Sequence, residues 1–357
     1  MSRTEERYNI LETEARWQAV WRRDPPPPPP AGAAKVCLRV AADPTGLSLD
    51  QARGCVVADM LARVWQGRGV TVRLALPPGV ERLGLVSTLP MADEGGACSP
   101  VRSVVLECDG LPIRPPPLRL GRILGSLPDD LAATIATYGA DSLRLTLMSD
   151  TAPGRDLMWC DGAIEGAWRF CHRLWRLGLT TLPFLAAAPA PLAARVQALN
   201  QCIDETILAV TTDLDALMPH KAIARLRLLT GALASQRPDE SGAPAVLRRG
   251  LETLLRQLAP ILPHLCEELW RRLGHDQPLS RAPWPSPQRS ATMAADTVTV
   301  AVHVNGKPRG LLHLPRDTDR EALQRAALAL PAVTHHTRGV TPRQVIVVPN
   351  RILNVVL

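Results

Sequence analysis

Residues 40–72 read VAADPTGLSLDQARGCVVADMLARVWQGRGVTV, and the order of patterns in this stretch decides the fold class. One apolar run, KVCLRV at 35–40, enters it, and a second, VTVRLAL at 70–76, leaves it. Between them lie a Pro-Thr-Gly turn and an amphipathic helix predicted over about Asp50–Gln66. Strand, turn, helix and strand in that order form a βαβ unit whose ligand-binding turn spans residues 43–48. This turn carries one glycine, Gly46, and neither a histidine nor a lysine.

The patterns outside this unit predict four segments. Residues 1–34 hold a helix, RYNILETEARWQAVWRRD, followed by a stiff polyproline II spacer at Pro25–Pro30. Residues 35–151 hold the α/β part, with further apolar runs RLGLVSTL and SVVLEC around a polar loop, PMADEGGACSPVRS. Residues 152–290 are helical throughout: Ile164, Trp168, Cys171, Trp175 and Leu179 form one stripe at alternating steps of four and three. Residues 295–357 change period. TVTVAVHVNGKPRGLLHLP reads as two strands around Asn305-Gly306, then DREALQRAALAL as a helix and RQVIVVPNRILNVVL as strand, turn and strand. The expected fold class is α/β plus all-α: a Rossmann-like parallel-sheet domain, a helical bundle and a small C-terminal α+β domain.

Composition narrows the function. With 46% hydrophobic and 21% charged residues the chain reads as an ordinary folded protein, and no apolar run reaches about 18 residues, so a membrane span is not expected. The opening MSRTEERYNILETEARW holds four glutamates and no apolar core, unlike a secretory signal, so a cytoplasmic location is expected. The eight cysteines form no C-x-x-C pair, so neither zinc nor a disulfide framework is predicted. Net charge is +7, and only three of the 41 basic residues are lysines, as a GC-rich coding bias would produce. Position is more informative than sum: residues 297–357 hold eight basic and three acidic side chains, a local excess that suits a polyanionic partner.

Four segments, in order, resemble the leucyl-tRNA synthetase family of class I aminoacyl-tRNA synthetases. YNILETEARWQAVW is similar to its opening helix, and YGADSLRLTLMSDTAPGRDLMWCDGAIEGAWRFCHRLWRL to the junction between catalytic core and helical domain. LAPILPHLCEELWRRLG followed by APWP resembles the end of the anticodon-binding domain, and VHVNGKPRG with TPRQVIVVPNRILNVVL resembles the C-terminal domain. The resemblance implies a nucleotide site whose histidines, in an H-x-G-H element, stabilise charge developing on the ATP α-phosphate. The matching positions here are Ser48, Leu49, Asp50 and Gln51, and the first histidine of the chain is His172. The K-M-S-K-S loop of the family falls within PPPLRLGRILGSLPDD, where Arg119 and Arg122 are the only cations, a poor geometric substitute for ammonium groups. The interval between the two halves of the fold is too short for the family's editing insertion.

The expected reading is therefore a shortened, catalytically degenerate relative that binds or presents tRNA, of the leucine type, without normal aminoacylation. Alternatives are aminoacyl transfer from tRNA to a small acceptor, residual leucine activation, or a pseudoenzyme that partners a full-length synthetase or pathway enzyme. The vestigial nucleotide pocket comprises Pro44, Thr45, Gly46, Ser48, Asp50, Gln51, Arg119 and Arg122. No cofactor is assigned, because the motifs that would hold ATP or an adenylate are degenerate, and no catalytic or metal-ligating residue is assigned. Asp50 alone reads as a helix N-cap. RNA-binding candidates are Arg169, Arg173 and Arg176 on one helical face, and Lys307, Arg309, Arg338, Arg343 and Arg351 in the basic tail. His172 and His264 read as structural, and the pair His335-His336 as no ligand site.

Overall fold

The computed structural model describes residues 8–24, 35–40, 48–77, 80, 84, 103–108, 118–128, 130–184, 190–288, 297–304, 307–315, 318–329, 333, 342, 344–348 and 352–356. The chain forms two compact units, Met1–Pro287 and Gln288–Leu357.

In the first unit, α1 (Ile10–Arg23) precedes the βαβ unit of β1 (Lys35–Val40), α2 (Leu49–Gly67) and β2 (Thr71–Ala75). β1 and β2 are parallel, in register from Lys35↔Thr71 to Arg39↔Ala75. The sheet as a whole is mixed, which corrects the expectation of a parallel sheet. β3 (Ser103–Cys108) runs antiparallel to β1, and β4 (Leu118–Arg119) antiparallel to β3, in the order β2-β1-β3-β4. Parallel pairing needs a crossover, usually a helix. α2 supplies one between β1 and β2, whereas the sequence between β2 and β3 carries no helical pattern.

α2 also differs from its expected amphipathic form. It is buried from Leu49 to Val64 on nearly every face, with the sheet on one side and α4 on the other. Its polar residues are buried with it, and each is met by a partner. Asp59 accepts from Arg63 at 3.0 Å and pairs with the fully buried Arg144 at 2.7 Å. Arg53 donates to the carbonyls of Gly121 and Arg155 at 3.1 and 3.0 Å. A buried charge persists only when it is paired in this way.

A two-stranded parallel pair, β5 (Ile123–Gly125) and β6 (Leu157–Trp159), brackets α3 (Leu131–Tyr138) and α4 (Ala140–Ser149). The helical array follows: α5 (Asp161–Thr181), α6 (Ala194–Asp215), α7 (Pro219–Ser235), α8 (Ala243–Leu258) and α9 (Pro263–Arg272). One continuous apolar core runs from Tyr8 through the sheet and helices to Leu279.

α1 joins this core through a buried polar network. Glu14 accepts the backbone N–H of Ala140 and of Asp141, at 2.8 and 2.9 Å, and so caps α4 from another helix. Gly139 makes the approach possible: its φ is +85°, and a Cβ there would lie 2.2 Å from Ile10. Asp141 in turn accepts from Leu265 N at 2.9 Å and lies 2.8 Å from His264 Nδ1. The Gln18 amide nitrogen lies 2.9 Å from His264 Nε2, so both ring nitrogens face polar partners.

The second unit is a four-stranded sheet, ordered β8-β7-β10-β9, with one helix. β7 (Thr297–Val304) and β8 (Lys307–Pro315) are antiparallel, with Val304 opposite Lys307. α10 (Arg320–Ala329) precedes β9 (Gln344–Val348) and β10 (Ile352–Val356), which are antiparallel to each other while β10 runs parallel to β7. Val300, Val302, Leu323, Ala327, Leu353 and Val355 form its separate core.

Candidate nucleic-acid interface and nucleotide turn

α5 begins after β6 and presents one apolar side to the core. Ile164, Phe170, Cys171, Leu174 and Trp175 are buried, whereas Trp168 and Leu179, expected in the same stripe, are half-buried. The opposite side places Arg169, Arg173 and Arg176 in solvent, one helical turn apart. Arg169 is tied to Glu165 at 3.2 Å. The face continues onto α7, where sequence reading missed Arg227. Its guanidinium lies 5.4 Å from the centre of the Phe170 ring, which locates it beside α5. Partial burial of the guanidinium lowers its pKa, Asp150 opposes that, and the nearby Arg173 adds to it. Arg173 and Arg227 therefore form a close pair of like charges on adjoining helices. No period within α5 could have announced Arg227, because the pairing is tertiary.

In the second unit, Lys307 and Arg309 lie at the start of β8, the strand antiparallel to β7. Arg338, Arg343 and Arg351, with His335-His336, lie outside the described residues.

The nucleotide turn is described only from Ser48 onward; Pro44, Thr45 and Gly46 lie outside the described residues. The N-cap of α2 is Ser48, whose hydroxyl accepts from Gln51 N at 3.2 Å. This corrects the reading of Asp50 as the cap. Asp50 instead reaches forward to accept the backbone N–H of Ile123 at 2.8 Å, binding α2 to β5. Gln51 is buried, while Arg119 and Arg122 are exposed, and Arg122 faces Asp156, to which its N–H donates at 2.7 Å. The structure thus brings Asp50 and the backbone around Arg122 together, and both polar groups are spent on protein partners. Glu14, Asp141 and His264, with ligand-type atoms within 4.8 Å of one another, form a further buried cluster. Both carboxylates and both ring nitrogens there already have hydrogen-bond partners, so the cluster is structural.

The helical array thus carries an exposed arginine face and adjoins a βαβ unit. Residues 197–324 match the family of the anticodon-binding domain of tRNA ligase. Over the anticodon-binding region, in particular, the chain is homologous to leucyl-tRNA synthetases. It is 46% identical over 232 residues to the leucine–tRNA ligase of Rhodospirillum rubrum, covering 64% of this chain and 27% of that protein. It is 43% identical over 229 residues to the leucine–tRNA ligase of Paramagnetospirillum magneticum, covering 26% of it. The chain thus spans about a quarter of the length of the curated relatives it matches. Among solved structures, the Agrobacterium radiobacter K84 leucyl-tRNA synthetase in ternary complex with tRNA and LeuAMS superposes with a TM-score of 0.54. It covers 67% of this chain and 33% of that one at 24% identity, a likeness of fold alone. Among the described residues no helix is long and apolar enough to cross a membrane.

Proposed function

We propose that the protein is a leucyl-tRNA-synthetase-like tRNA binder that does not perform ordinary leucine–tRNA ligation. The observation that carries the binding half is the homology over the anticodon-binding region together with the arginine face of Arg169, Arg173, Arg176 and Arg227. Guanidinium groups on a rigid helical surface supply the phosphate contacts by which structured RNA is held. The basic tail, with Lys307, Arg309, Arg338, Arg343 and Arg351, supplies a second set.

The other half rests on the nucleotide turn. Phosphate activation needs imidazole or ammonium donors preorganised around the α-phosphate. The positions available here are Ser48, Asp50 and Gln51, with no histidine before His172 and no lysine between Lys35 and Lys221. Asp50 and Gln51 are also engaged in packing α2, and a carboxylate at that point repels a phosphate. The tRNA would be held, presented or protected, with its chemistry performed by another enzyme.

Two measurements test the proposal. Filter binding with leucine-accepting tRNA should show affinity that falls steeply with salt; a folded protein with no binding at low salt refutes the first half. Leucine-dependent pyrophosphate exchange should be absent; turnover comparable to an ordinary synthetase refutes the second.

A further inference from the structure

We propose, resting on the tRNA reading, that Trp168 backed by His172 forms a stacking platform for one unpaired RNA base at the border of the arginine face. Trp17, Trp21, Trp159, Trp175 and Trp270 are buried, as such large apolar side chains ordinarily are. Trp168 is only half-buried: part of it packs on the core, and the rest is open to solvent.

Helical spacing puts that opening beside the arginines. Trp168, His172 and Arg176 follow one another at four-residue steps, so they lie along one ridge of α5. Arg169 and Arg173 form the adjoining ridge, displaced by one residue. Glu165 holds Arg169, whereas Arg173 and Arg176 have no acidic partner among the described residues. Arg173 also has the like charge of Arg227 nearby, so this part of the face favours a phosphate most. Arg173 follows Trp168 by roughly 7.5 Å along the helix axis, a distance that a nucleotide spans between its phosphate and its base.

The platform is braced by its neighbours. The His172 ring centre lies 3.9 Å from that of Trp168, with 42° between the planes. His172 Nδ1 donates to the Trp168 carbonyl at 3.0 Å, which holds the imidazole in place against the indole. Tyr8, which is buried, meets His172 in a T-shaped contact at 5.5 Å and stacks on Trp175 at 4.8 Å. Four rings thus connect in one run with Trp168 at its end, and among the described residues no second ring covers Trp168. A half-open indole held in this way loses little rotamer freedom when a base stacks on it. Every base has a π-face to offer, but a duplex keeps its bases inside, so only a loop, bulge or end nucleotide reaches the indole.

The test uses the full chain and a leucine-accepting tRNA transcript, with a fully paired RNA duplex of similar length as the second probe. In filter binding, Trp168→Leu should hold the tRNA about tenfold more weakly than the unaltered protein. The slope of log affinity against log salt should stay the same, because no phosphate contact is lost. Affinity for the duplex should also be unchanged, and Trp168→Phe should restore most of the tRNA affinity. Unchanged tRNA affinity in Trp168→Leu overturns the platform and leaves the tRNA reading standing. An equal loss for duplex and tRNA does the same, since it marks a structural role. If the unaltered protein binds no tRNA at low salt, both readings fall together. Should Trp168→Leu fail to fold by circular dichroism, ultraviolet crosslinking of the tRNA to the unaltered protein decides. An adduct on Trp168 supports the platform, and adducts confined to other peptides overturn it.

Discussion

Asp59 and Arg144 are both fully buried, and their pairing tests how far the fold depends on matched charge. Arg144 also donates to the carbonyls of Ile261 and Pro260, at 3.0 and 2.6 Å, just before α9. Arg144→Met should therefore lower unfolding free energy by about 3–5 kcal/mol in urea denaturation, as for other buried pairs cut on one side. Loss below about 1 kcal/mol would show that Arg63 alone suffices for Asp59. Glu14 makes a pH-dependent contribution. Burial raises its carboxyl from the usual 4.5 to about 7, with Asp141 adding to this while His264 and the two backbone N–H groups oppose it. Between those values the folded state holds a proton that the unfolded chain has released, so stability falls as pH rises from about 4.5 to 7. Glu14→Gln should flatten that slope while lowering stability overall, since its amide cannot accept both N–H groups. An unchanged slope in denaturation series at pH 5 and pH 7 would assign the titration to another group. Such residues were hard to read in the sequence. Nothing within α1 indicates that Glu14 points inward, because its partners are 126 and 127 residues away.

At the scale of the element, α5 and α2 contrast. α5 was legible, because a helix with one dry face repeats its apolar residues every three or four positions, and its arginines fall on the remaining arc. The sequence pattern of α2 marked its limits to within a residue but misled about its surroundings. A helix covered by a sheet on one side and by α4 on the other has no wet face, so Arg53 and Asp59 in its sequence denote buried pairs rather than solvent. The cap at Ser48 is local, made to Gln51 N, whereas the forward reach of Asp50 depends on β5, 73 residues later, and was not legible for that reason. The arginine face yields a prediction at this scale. Replacing Arg173 and Arg227 together by Gln should weaken tRNA binding and reduce the slope of log affinity against log salt by about 1 for each phosphate no longer neutralised. The same pair of changes at Arg237 and Arg248, on other parts of the array, should leave the slope unchanged. Equal effects from both pairs would mean that binding follows net charge rather than this face.

For the whole molecule, the sequence changes from helical to alternating period near residue 295, and each of the two units has its own core. The division between an α/β domain and a bundle within residues 35–287 is less distinct, because the core crosses it without a break. Deleting residues 288–357 should leave the unfolding midpoint of the first unit within about 2 °C in calorimetry, while tRNA affinity falls and its salt dependence becomes shallower. A midpoint lowered by more than about 5 °C, a shift of roughly 1–2 kcal/mol for a unit of this size, would show that the first unit relies on the second.

The ties of α1 have a consequence for synthesis. Gln18 meets His264, and Trp17 and Arg16 meet Glu268, so the first helix closes onto residues 246 to 252 positions further on. At roughly 5–20 residues per second, α9 follows α1 out of the ribosome by about 12–50 s. Through that interval Trp17 and Trp21 wait without the α9 surface that covers them, while the Glu14 carboxylate meets its partners on α4 after about half of it. α1 is made long before it is secured, and a nascent chain stalled before α9 would expose its tryptophans to any chaperone present.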